Sequence, residues 1–254
     1  MSTSIICCSF GDSNILLDNL IESLRRVGLL DRLILYPLDK NTYDRYNKDI
    51  QCVLLGDIDC ELKSPEYVGY GTKNFKNITL FKNRILQDSL MRGNDTLLVD
   101  TDIVFLKDPL NRLTQLGVKH DVLFQTEAYF NGRKRKWFKT EVNTGFVWSR
   151  PTEKTIKLFD YNRGDEHGTK TQQFLINWRI KTFKNKRWYP NIPSVQSDTE
   201  VNYGRLKVEE FPTWVSWKGI AESKRRQSYI LHYNDTSSLD TKIERMKQQG
   251  HWFL

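Results

Sequence analysis

The sequence alternates short apolar runs with amphipathic stretches, and this order restricts the fold more than any other feature. Residues 14–28 and 79–93 carry apolar side chains at helical spacing, and each stretch ends at a glycine. The apolar runs between them have the length of buried strands. We predict strands at residues 5–10, 33–36, 52–55, 96–100, 122–125 and 145–148. Strands and helices in alternation predict an α/β domain whose largely parallel sheet is covered by helices on both faces.

The remaining segments fit the same architecture. We predict helices at residues 42–46, 152–161, 169–180 and 239–249, and further strands at residues 205–211 and 228–232. No linker-like segment or internal repeat divides the 254 residues, so the chain is predicted to form one domain. In open α/β sheets, ligands bind beyond the carboxyl ends of the strands. The residues that follow each predicted strand are therefore the first candidates for a functional site.

The composition excludes several classes of protein. Hydrophobic residues make up 39% of the chain and charged residues 28%, which excludes wholesale disorder. No apolar run reaches the ~18 residues that span a bilayer, and the N-terminus does not resemble a signal peptide. We therefore expect a cytoplasmic protein. The formal net charge of +8 favours an anionic partner, with nucleic acid, an acidic membrane and a phosphorylated small molecule all open.

Two carboxylates follow the predicted strand at residues 96–100. Asp100 and Asp102 lie two positions apart in an otherwise apolar stretch, where buried carboxylates are costly unless they are paired or bind a cation. Side chains two apart on a strand point the same way, and a bend at the strand end lets both aim at one point. Two such oxygen donors suit Mg²⁺ or Mn²⁺ with phosphate as a further ligand. Capping of the following turn by either aspartate is the alternative that spacing alone leaves open.

The segment around this pair resembles a known family. Residues 97–110, which read Leu-Leu-Val-Asp-Thr-Asp-Ile-Val-Phe-Leu-Lys-Asp-Pro-Leu, are similar to the Asp-x-Asp signature of nucleotide-diphospho-sugar glycosyltransferases of the GT-A type. Weaker matches occur elsewhere in the chain, and their order along the chain is that of the family. They are residues 14–39, residues 79–82, Asn143-Thr144-Gly145-Phe146 with residues 150–152, Gln172-Gln173 to Asn177, and residues 231–234. The ordered set covers roughly residues 5–235, which makes it more specific than any single motif.

The resemblance implies both a fold and an activity. The fold is GT-A-type and Rossmann-like, with a mixed, mostly parallel sheet in a single domain at residues 1–254. A nucleotide-binding half would cover about residues 1–110, and an acceptor and sugar half about residues 111–254. The activity is transfer of a hexosyl or pentosyl group from a nucleotide-diphosphate sugar donor to the hydroxyl of a glycan or other acceptor. Mn²⁺ or Mg²⁺ is the implied cofactor.

The resemblance also implies roles for individual residues. Asp100, Asp102 and His232 would be the metal ligands, although His232 alone also fits a half-buried strand histidine. Asn143, Gln172 and Gln173 would be the catalytic residues beside the transferred sugar. The donor-binding set comprises Ser9, Lys82, Asp100, Thr101, Asp102, Asn143 and Thr144. A solvated lysine and a turn before a strand are the alternatives for Lys82 and for the Asn143-Thr144 pair.

One departure from the family leaves the stereochemistry open. The family commonly has Asp-Gln where this chain has Gln172-Gln173, which removes a carboxylate from the reaction centre. A retaining transfer needs no strong base, because the leaving diphosphate can take the acceptor proton, whereas an inverting transfer needs a carboxylate as general base. The candidate bases are Asp121, Glu127, Glu141 and Asp198. The family is mostly retaining, so retention is the prediction.

Two other functions compete with glycosyl transfer. Basic and aromatic residues are mixed at 132–139 and at 179–188, which a nucleic-acid-binding module would use as phosphate clamps and stacking rings. No RRM, KH or helix-turn-helix pattern accompanies them. Most runs of this kind are solvated loops, and a third interpretation is that the loop at 132–139 covers the donor or acceptor site. The excess basic charge also suits peripheral contact with an acidic membrane. A metal-dependent nucleotidyltransferase or phosphatase would use the same acidic pair on a different substrate.

Overall fold

A computed structural model describes residues 3–55, 73–131, 136–160, 171–180, 200–235 and 238–254. The strands are β1 Thr3–Ser9, β2 Leu33–Pro37, β3 Gln51–Cys52, β4 Asp95–Val99, β5 Ile103–Phe105, β6 Val122–Asn131, β7 Lys136–Ser149, β8 Tyr203–Arg205 and β9 Ile230–His232. The helices are α1 Asn14–Arg26, α2 Lys40–Tyr46, α3 Lys73–Met91, α4 Leu110–Gly117, α5 Glu153–Leu158, α6 Gln172–Arg179, α7 Trp214–Trp217, α8 Glu222–Arg225 and α9 Leu239–Gln248. Among the described residues, no helix has both the length and the hydrophobicity needed to cross a bilayer.

Seven strands form the main sheet in the order β3-β2-β1-β4-β7-β6-β8. The strands from β3 to β4 are parallel, as their pairings show. Strand β7 runs antiparallel to both β4 and β6, and β8 runs parallel to β6. The sheet is therefore mixed and mostly parallel, which confirms the predicted fold class.

Apolar side chains alternate between two cores on opposite faces of the sheet. Leu97 and Val99 of β4 point into the core that α1 covers. Leu98, between them, points into the core that α3 and α6 cover. Because both faces are buried, these strands appear in the sequence as continuous apolar runs, as expected of parallel sheets. The left-handed backbone at Gly28, with φ +73°, follows α1 and explains why a glycine ends that stretch.

A two-stranded ribbon of β5 and β9 lies apart from the main sheet. After β4 ends, the chain turns at Asp100, Thr101 and Asp102 and continues as β5. Strand β5 pairs antiparallel with β9, and the register places Ile103 opposite His232. The ribbon therefore brings a residue from late in the chain to the end of β4, where the acidic pair lies.

Several predicted boundaries differ from the structure. The strand predicted at residues 205–211 is wrong beyond Arg205, because residues 206–211 form no strand and residues 208–210 are in a turn. Leu206, Val208 and Phe211 are nevertheless buried, so their apolar character reflects packing and not strand pairing. The strands predicted at residues 122–125 and 145–148 are parts of the longer hairpin β6–β7. The basic runs at residues 132–139 and 179–188, which carried the nucleic-acid alternative, lie largely outside the residues whose side chains are described, as does Asp198.

The last residues of the chain pack against α1 and β9. The buried Asn19 amide of α1 donates to the carbonyl of His251 at 3.0 Å and accepts the backbone N–H of Phe253 at 2.7 Å. The His251 ring nitrogen Nδ1 lies 2.8 Å from the Tyr233 hydroxyl. Burial of the imidazole lowers the pKa of His251 from 6.5 to about 4. The folded protein therefore holds this histidine neutral.

We expect this histidine to make the fold sensitive to mild acid. Between pH 6.5 and pH 4 the unfolded chain binds a proton at His251 that the folded chain does not, so stability falls as the pH is lowered through this range. Replacement of His251 by Phe should flatten the pH dependence of the melting temperature, which changes by about 2–4 °C per kcal/mol for a domain of this size. His120→Phe is the histidine control, and an equal flattening by both variants would contradict the prediction.

Candidate functional site

The end of β4 places the two aspartates in a partly buried turn. The backbone N–H of Asp100 donates to the carbonyl of Gly145 on β7 at 2.8 Å, which keeps Asp100 in line with the sheet. The Asp102 carbonyl accepts the backbone N–H of Tyr233 at 2.9 Å, which ties the turn to β9. The Asp102 side chain is 8% exposed and that of Asp100 is 24% exposed. The turn therefore presents both carboxylates to one location, as the spacing predicts.

His232 completes a three-residue cluster with these carboxylates. Each of the three residues offers one ligand atom, and these atoms lie within 4.8 Å of one another. His232 Nε2 is 3.2 Å from Asp102 Oδ1. Two carboxylate oxygens and one imidazole nitrogen form a donor set that Mn²⁺ or Mg²⁺ accepts. Among the described residues, this cluster is the group of histidine, cysteine and acidic side chains whose geometry suits a metal ion.

A glutamine that we did not predict orients the histidine. Gln125 of β6 is fully buried, and its Nε2 donates to the carbonyls of Phe211 and Pro212 at 3.2 and 3.0 Å. Both contacts require a donor, so Oε1 faces His232 Nδ1, 2.8 Å away. The histidine then donates Nδ1–H to Gln125 and directs Nε2 towards the aspartates. Metal-binding histidines are commonly oriented by such a partner.

Crowding around the cluster requires a glycine on β7. A Cβ atom on Gly145 would lie 2.8 Å from Asp100 Oδ2 and 3.0 Å from His232 Nε2, and would overlap His232 Cε1. These distances are shorter than non-bonded contacts allow, so only glycine permits the aspartate and the histidine to approach each other here. The Asn-Thr-Gly motif thus has a steric function at its third position.

Two lysines neutralise the two carboxylates. Lys82 Nζ of α3 lies 2.5 Å from Asp100 Oδ1, so the structure brings this predicted donor-binding residue to the cluster. Lys242 Nζ of α9, which we did not predict, lies 2.6 Å from Asp102 Oδ2. Burial alone would raise the pKa of Asp102, but Lys242 and His232 outweigh burial and hold it well below its usual range. Burial alone would lower the pKa of Lys82, but Asp100 outweighs burial and raises it.

Asn143 and Glu127 form a polar wall beside the cluster. Asn143 Oδ1 accepts the backbone N–H of Gly145 at 2.8 Å, and its Nδ2 donates to Glu127 Oε2 at 2.8 Å. The same Glu127 oxygen accepts a longer bond, 3.3 Å, from Asn234 Nδ2. Burial raises the pKa of Glu127, while the hydrogen bond from Asn143 opposes the rise. Because Asn143 precedes Gly145 and Asn234 follows His232, this wall adjoins the metal ligands.

Helix α6 brings Gln173 to the same wall. Asn177 exchanges two hydrogen bonds with the backbone of Val142, accepting at 2.9 Å and donating at 2.8 Å, and so docks α6 on β7. Gln173 Oε1 then accepts a weak bond of 3.5 Å from the Thr144 backbone N–H. The structure therefore groups Asn143, Thr144 and Gln173.

Two predicted site residues engage in internal hydrogen bonds instead. Gln172 is 1% exposed, and its Nε2 donates to Asn83 Oδ1 of α3 at 3.0 Å. Ser9 is equally buried, and its hydroxyl donates to Asn14 Oδ1 at 2.8 Å. Thr101 lies at the turn between the two aspartates and is half-buried. The described structure thus joins α3 to α6 through Gln172 and organises the loop after β1 through Ser9.

Three of the candidate bases lie among the described residues, and each has different contacts. Asp121 pairs with Arg150 at 3.6 Å and accepts the backbone N–H of Asn202 at 3.0 Å. Burial raises the pKa of Glu141, which interacts with Gln173. Only Glu127 of these three bonds to Asn143. Glu127 and Glu141 therefore both contact predicted sugar-site residues, whereas Asp121 pairs elsewhere.

Comparison with known proteins identifies what this chain is similar to. A family model described as nucleotide-diphospho-sugar transferase matches residues 28–246. Arabinosyltransferase RRA1 of Arabidopsis thaliana is 26% identical over 92% of this chain and 59% of its own length. UDP-galactose:fucoside alpha-3-galactosyltransferase of Dictyostelium discoideum is 20% identical over 98% of this chain and 43% of its own length. The chain thus spans about half the length of these curated relatives.

A solved structure has the same fold. It is that of a glycosyltransferase involved in the glycosylation of the major capsid of PBCV-1, with a TM-score of 0.53 and 11% sequence identity. The match covers 98% of this chain and 100% of that chain. At this identity the similarity concerns the fold alone.

Proposed function

The chain belongs to the family of nucleotide-diphospho-sugar transferases and has the GT-A fold, and on that premise we propose that it transfers a sugar from a nucleotide-diphosphate donor to an acceptor hydroxyl. The observation that carries the proposal is the cluster of Asp100, Asp102 and His232 between two lysines. A nucleic-acid-binding module has no use for such a cluster. Nucleotidyl transfer would use it equally well, so the choice of substrate must be tested directly.

We propose Mn²⁺ or Mg²⁺ as the cofactor, with Asp100, Asp102 and His232 as its ligands. The residues present fit the ion, because they combine two carboxylates with a histidine whose Nε2 faces them. A metal ion bound there would act as a Lewis acid and neutralise charge on the departing nucleoside diphosphate. The remaining positive charge near the diphosphate would come from Lys82 and Lys242.

The polar wall is suited to hold the transferred sugar and the acceptor hydroxyl. Asn143, Glu127 and Asn234 place amide and carboxylate groups beside the metal ligands. Gln173 would add a further polar contact from α6. The names of the two relatives suggest a pentosyl or a hexosyl donor, and a nucleotide-diphosphate arabinose and UDP-galactose are the first candidates.

We propose that the transfer retains the anomeric configuration. The bond between the anomeric carbon and the diphosphate oxygen breaks, a bond to the acceptor oxygen forms on the same face, and the departing diphosphate oxygen takes the acceptor proton. In an inverting transfer, Glu127 would take that proton instead. NMR of the freshly hydrolysed sugar, recorded before its two anomers equilibrate, distinguishes retention from inversion. The released sugar has the anomeric configuration of the donor only under retention.

A donor screen tests the proposed function. We expect one nucleotide-sugar, in the presence of Mn²⁺, to raise the melting temperature and then to be hydrolysed slowly, because a ligand that binds the folded state stabilises it by mass action. Nucleoside triphosphates are the control substrates. If a triphosphate stabilises the protein and is turned over, and no nucleotide-sugar binds, the result would contradict glycosyl transfer and support nucleotidyl transfer. Salt-sensitive binding to oligonucleotides alone would instead select the nucleic-acid alternative.

A further inference from the structure

Both metal-site carboxylates already have a cationic partner within the protein. Lys82 binds Asp100 and Lys242 binds Asp102, at 2.5 and 2.6 Å. The two lysine side chains are only 13% and 10% exposed, so solvent screens these pairs weakly. The pairs come from different parts of the chain, one from α3 and one from the C-terminal helix α9. Metal binding alone does not require that each carboxylate be paired with a lysine.

The balance of charge determines what the site can bind. The two ammonium groups offset the charges of the two carboxylates. A divalent cation bound alone would add two positive charges to a mostly buried site, which is costly. A nucleotide-diphosphate sugar carries two negative charges on its diphosphate. The cation and the diphosphate therefore offset each other's charge, whereas either one alone adds charge to the site.

The geometry adds direct repulsion to this imbalance. Asp102 is shared, since Oδ1 faces His232 Nε2 at 3.2 Å and Oδ2 contacts Lys242 Nζ at 2.6 Å. A cation bound by Asp102 and His232 would therefore lie within a few ångströms of the Lys242 ammonium. A diphosphate would relieve this repulsion by accepting hydrogen bonds from the lysine while its oxygens approach the metal.

We infer that Lys82 and Lys242 are built-in counter-ions that keep the metal affinity of the site low until a diphosphate arrives, so that metal and donor bind with strong positive coupling. This inference rests on the proposed function for the identity of the donor, but not for the effect of the lysines on the metal. By linkage, the metal must raise the affinity for the diphosphate by the same factor as the diphosphate raises the affinity for the metal.

The test measures Mn²⁺ binding from the EPR signal of the free ion, without any turnover. Wild-type protein should bind Mn²⁺ weakly alone and about tenfold or more tightly when UDP is present. Lys242→Gln removes the charge but keeps a hydrogen-bonding side chain. This variant should bind Mn²⁺ alone about tenfold more tightly than wild type, because the repulsion is gone, and its coupling to UDP should shrink. Lys82→Gln should change both quantities in the same direction.

Arg112→Gln is the matched control. Arg112 forms a bidentate pair with Glu210 at 2.8 and 3.0 Å, so its replacement also removes one cation from a partly buried pair. Its affinity for Mn²⁺ should stay near that of wild type. Circular dichroism establishes that each variant is folded, and Lys82→Gln replaces Lys242→Gln as the deciding variant if the latter does not fold. Equal Mn²⁺ affinities in all variants, or coupling as strong in Lys242→Gln as in wild type, would overturn the inference.

A parallel arm with inorganic pyrophosphate separates this inference from the proposed function. Coupling of Mn²⁺ to pyrophosphate but not to UDP would contradict a UDP-sugar donor and still support the counter-ions. Tighter Mn²⁺ binding by the lysine variants, with no diphosphate binding of either kind in wild type, would contradict the coupling. In that case the lysines would be inhibitors of metal binding alone.

Discussion

Replacement of Asp102 by Asn should abolish most donor hydrolysis and sugar transfer, by about a hundredfold or more. Loss of a residue that merely orients a metal ligand already costs 10–100-fold, and Asp102 is positioned to contact the metal itself. The substitution keeps the shape of the side chain but removes the charge that His232 and Lys242 share. Initial rates of both reactions, measured over a range of Mn²⁺ concentrations, test the prediction.

The same variant should also be less stable. Lys242 would lose its buried ion pair with Asp102, and breaking one side of such a pair is strongly destabilising. Asp44→Asn is the matched control, because Asp44 pairs with Lys40 on the exposed surface of α2 and its charge contributes little. Assays at a temperature well below the melting point of both variants separate lost chemistry from lost folding. Activity of Asp102→Asn that equals wild type and needs no metal would refute the metal role of this residue.

The second large effect is expected from Gly145→Ala. The added methyl group would lie 2.8 Å from Asp100 Oδ2 and would overlap the His232 ring, so the two ligands must separate. We expect Mn²⁺ binding and transfer to fall to near background, together with a loss of stability of about 1–3 kcal/mol from overpacking. EPR titration with Mn²⁺ and thermal unfolding measure the two consequences.

Gly204→Ala is the control, because a methyl group there would be similarly crowded but lies away from the metal cluster. A Cβ on Gly204 of β8 would approach His120 and Leu123, each at 2.7 Å, so a similar loss of stability is expected. Neither of these neighbours belongs to the metal cluster, and Mn²⁺ binding should persist. Equal losses of Mn²⁺ binding in the two variants would mean that Gly145 matters for folding and has no particular function at the cluster.

The acidic pair was predictable because its signal is local. Asp100 and Asp102 immediately follow an apolar run, and the rule that ligands bind at the carboxyl ends of strands identifies their location. His232 was predicted only through the family resemblance, since the strand that carries it is short and its pairing with β5 connects distant segments.

The supporting residues could not be predicted, because their signals are not local. Gln125 is one of several polar residues of β6, and its partner His232 is 107 positions away. Lys242 is 140 positions from Asp102, and in the sequence it resembles the other lysines of an amphipathic helix. Glu127 was one of four candidate bases until the fold placed it beside Asn143. Such long-range choices depend on strand order and helix docking, which periodicity does not encode.

The pairing of β5 with β9 has a consequence for the order in which the site is made. During synthesis the aspartates emerge long before His232 and Lys242, because 140 residues separate Asp102 from Lys242. Until α9 docks, a growing chain holds two carboxylates without their histidine and without one of their lysines. Domains fold largely as units when their last elements become available. We therefore expect donor binding only after the chain has folded up to and including α9. An N-terminal fragment that ends before α9 should not bind the donor.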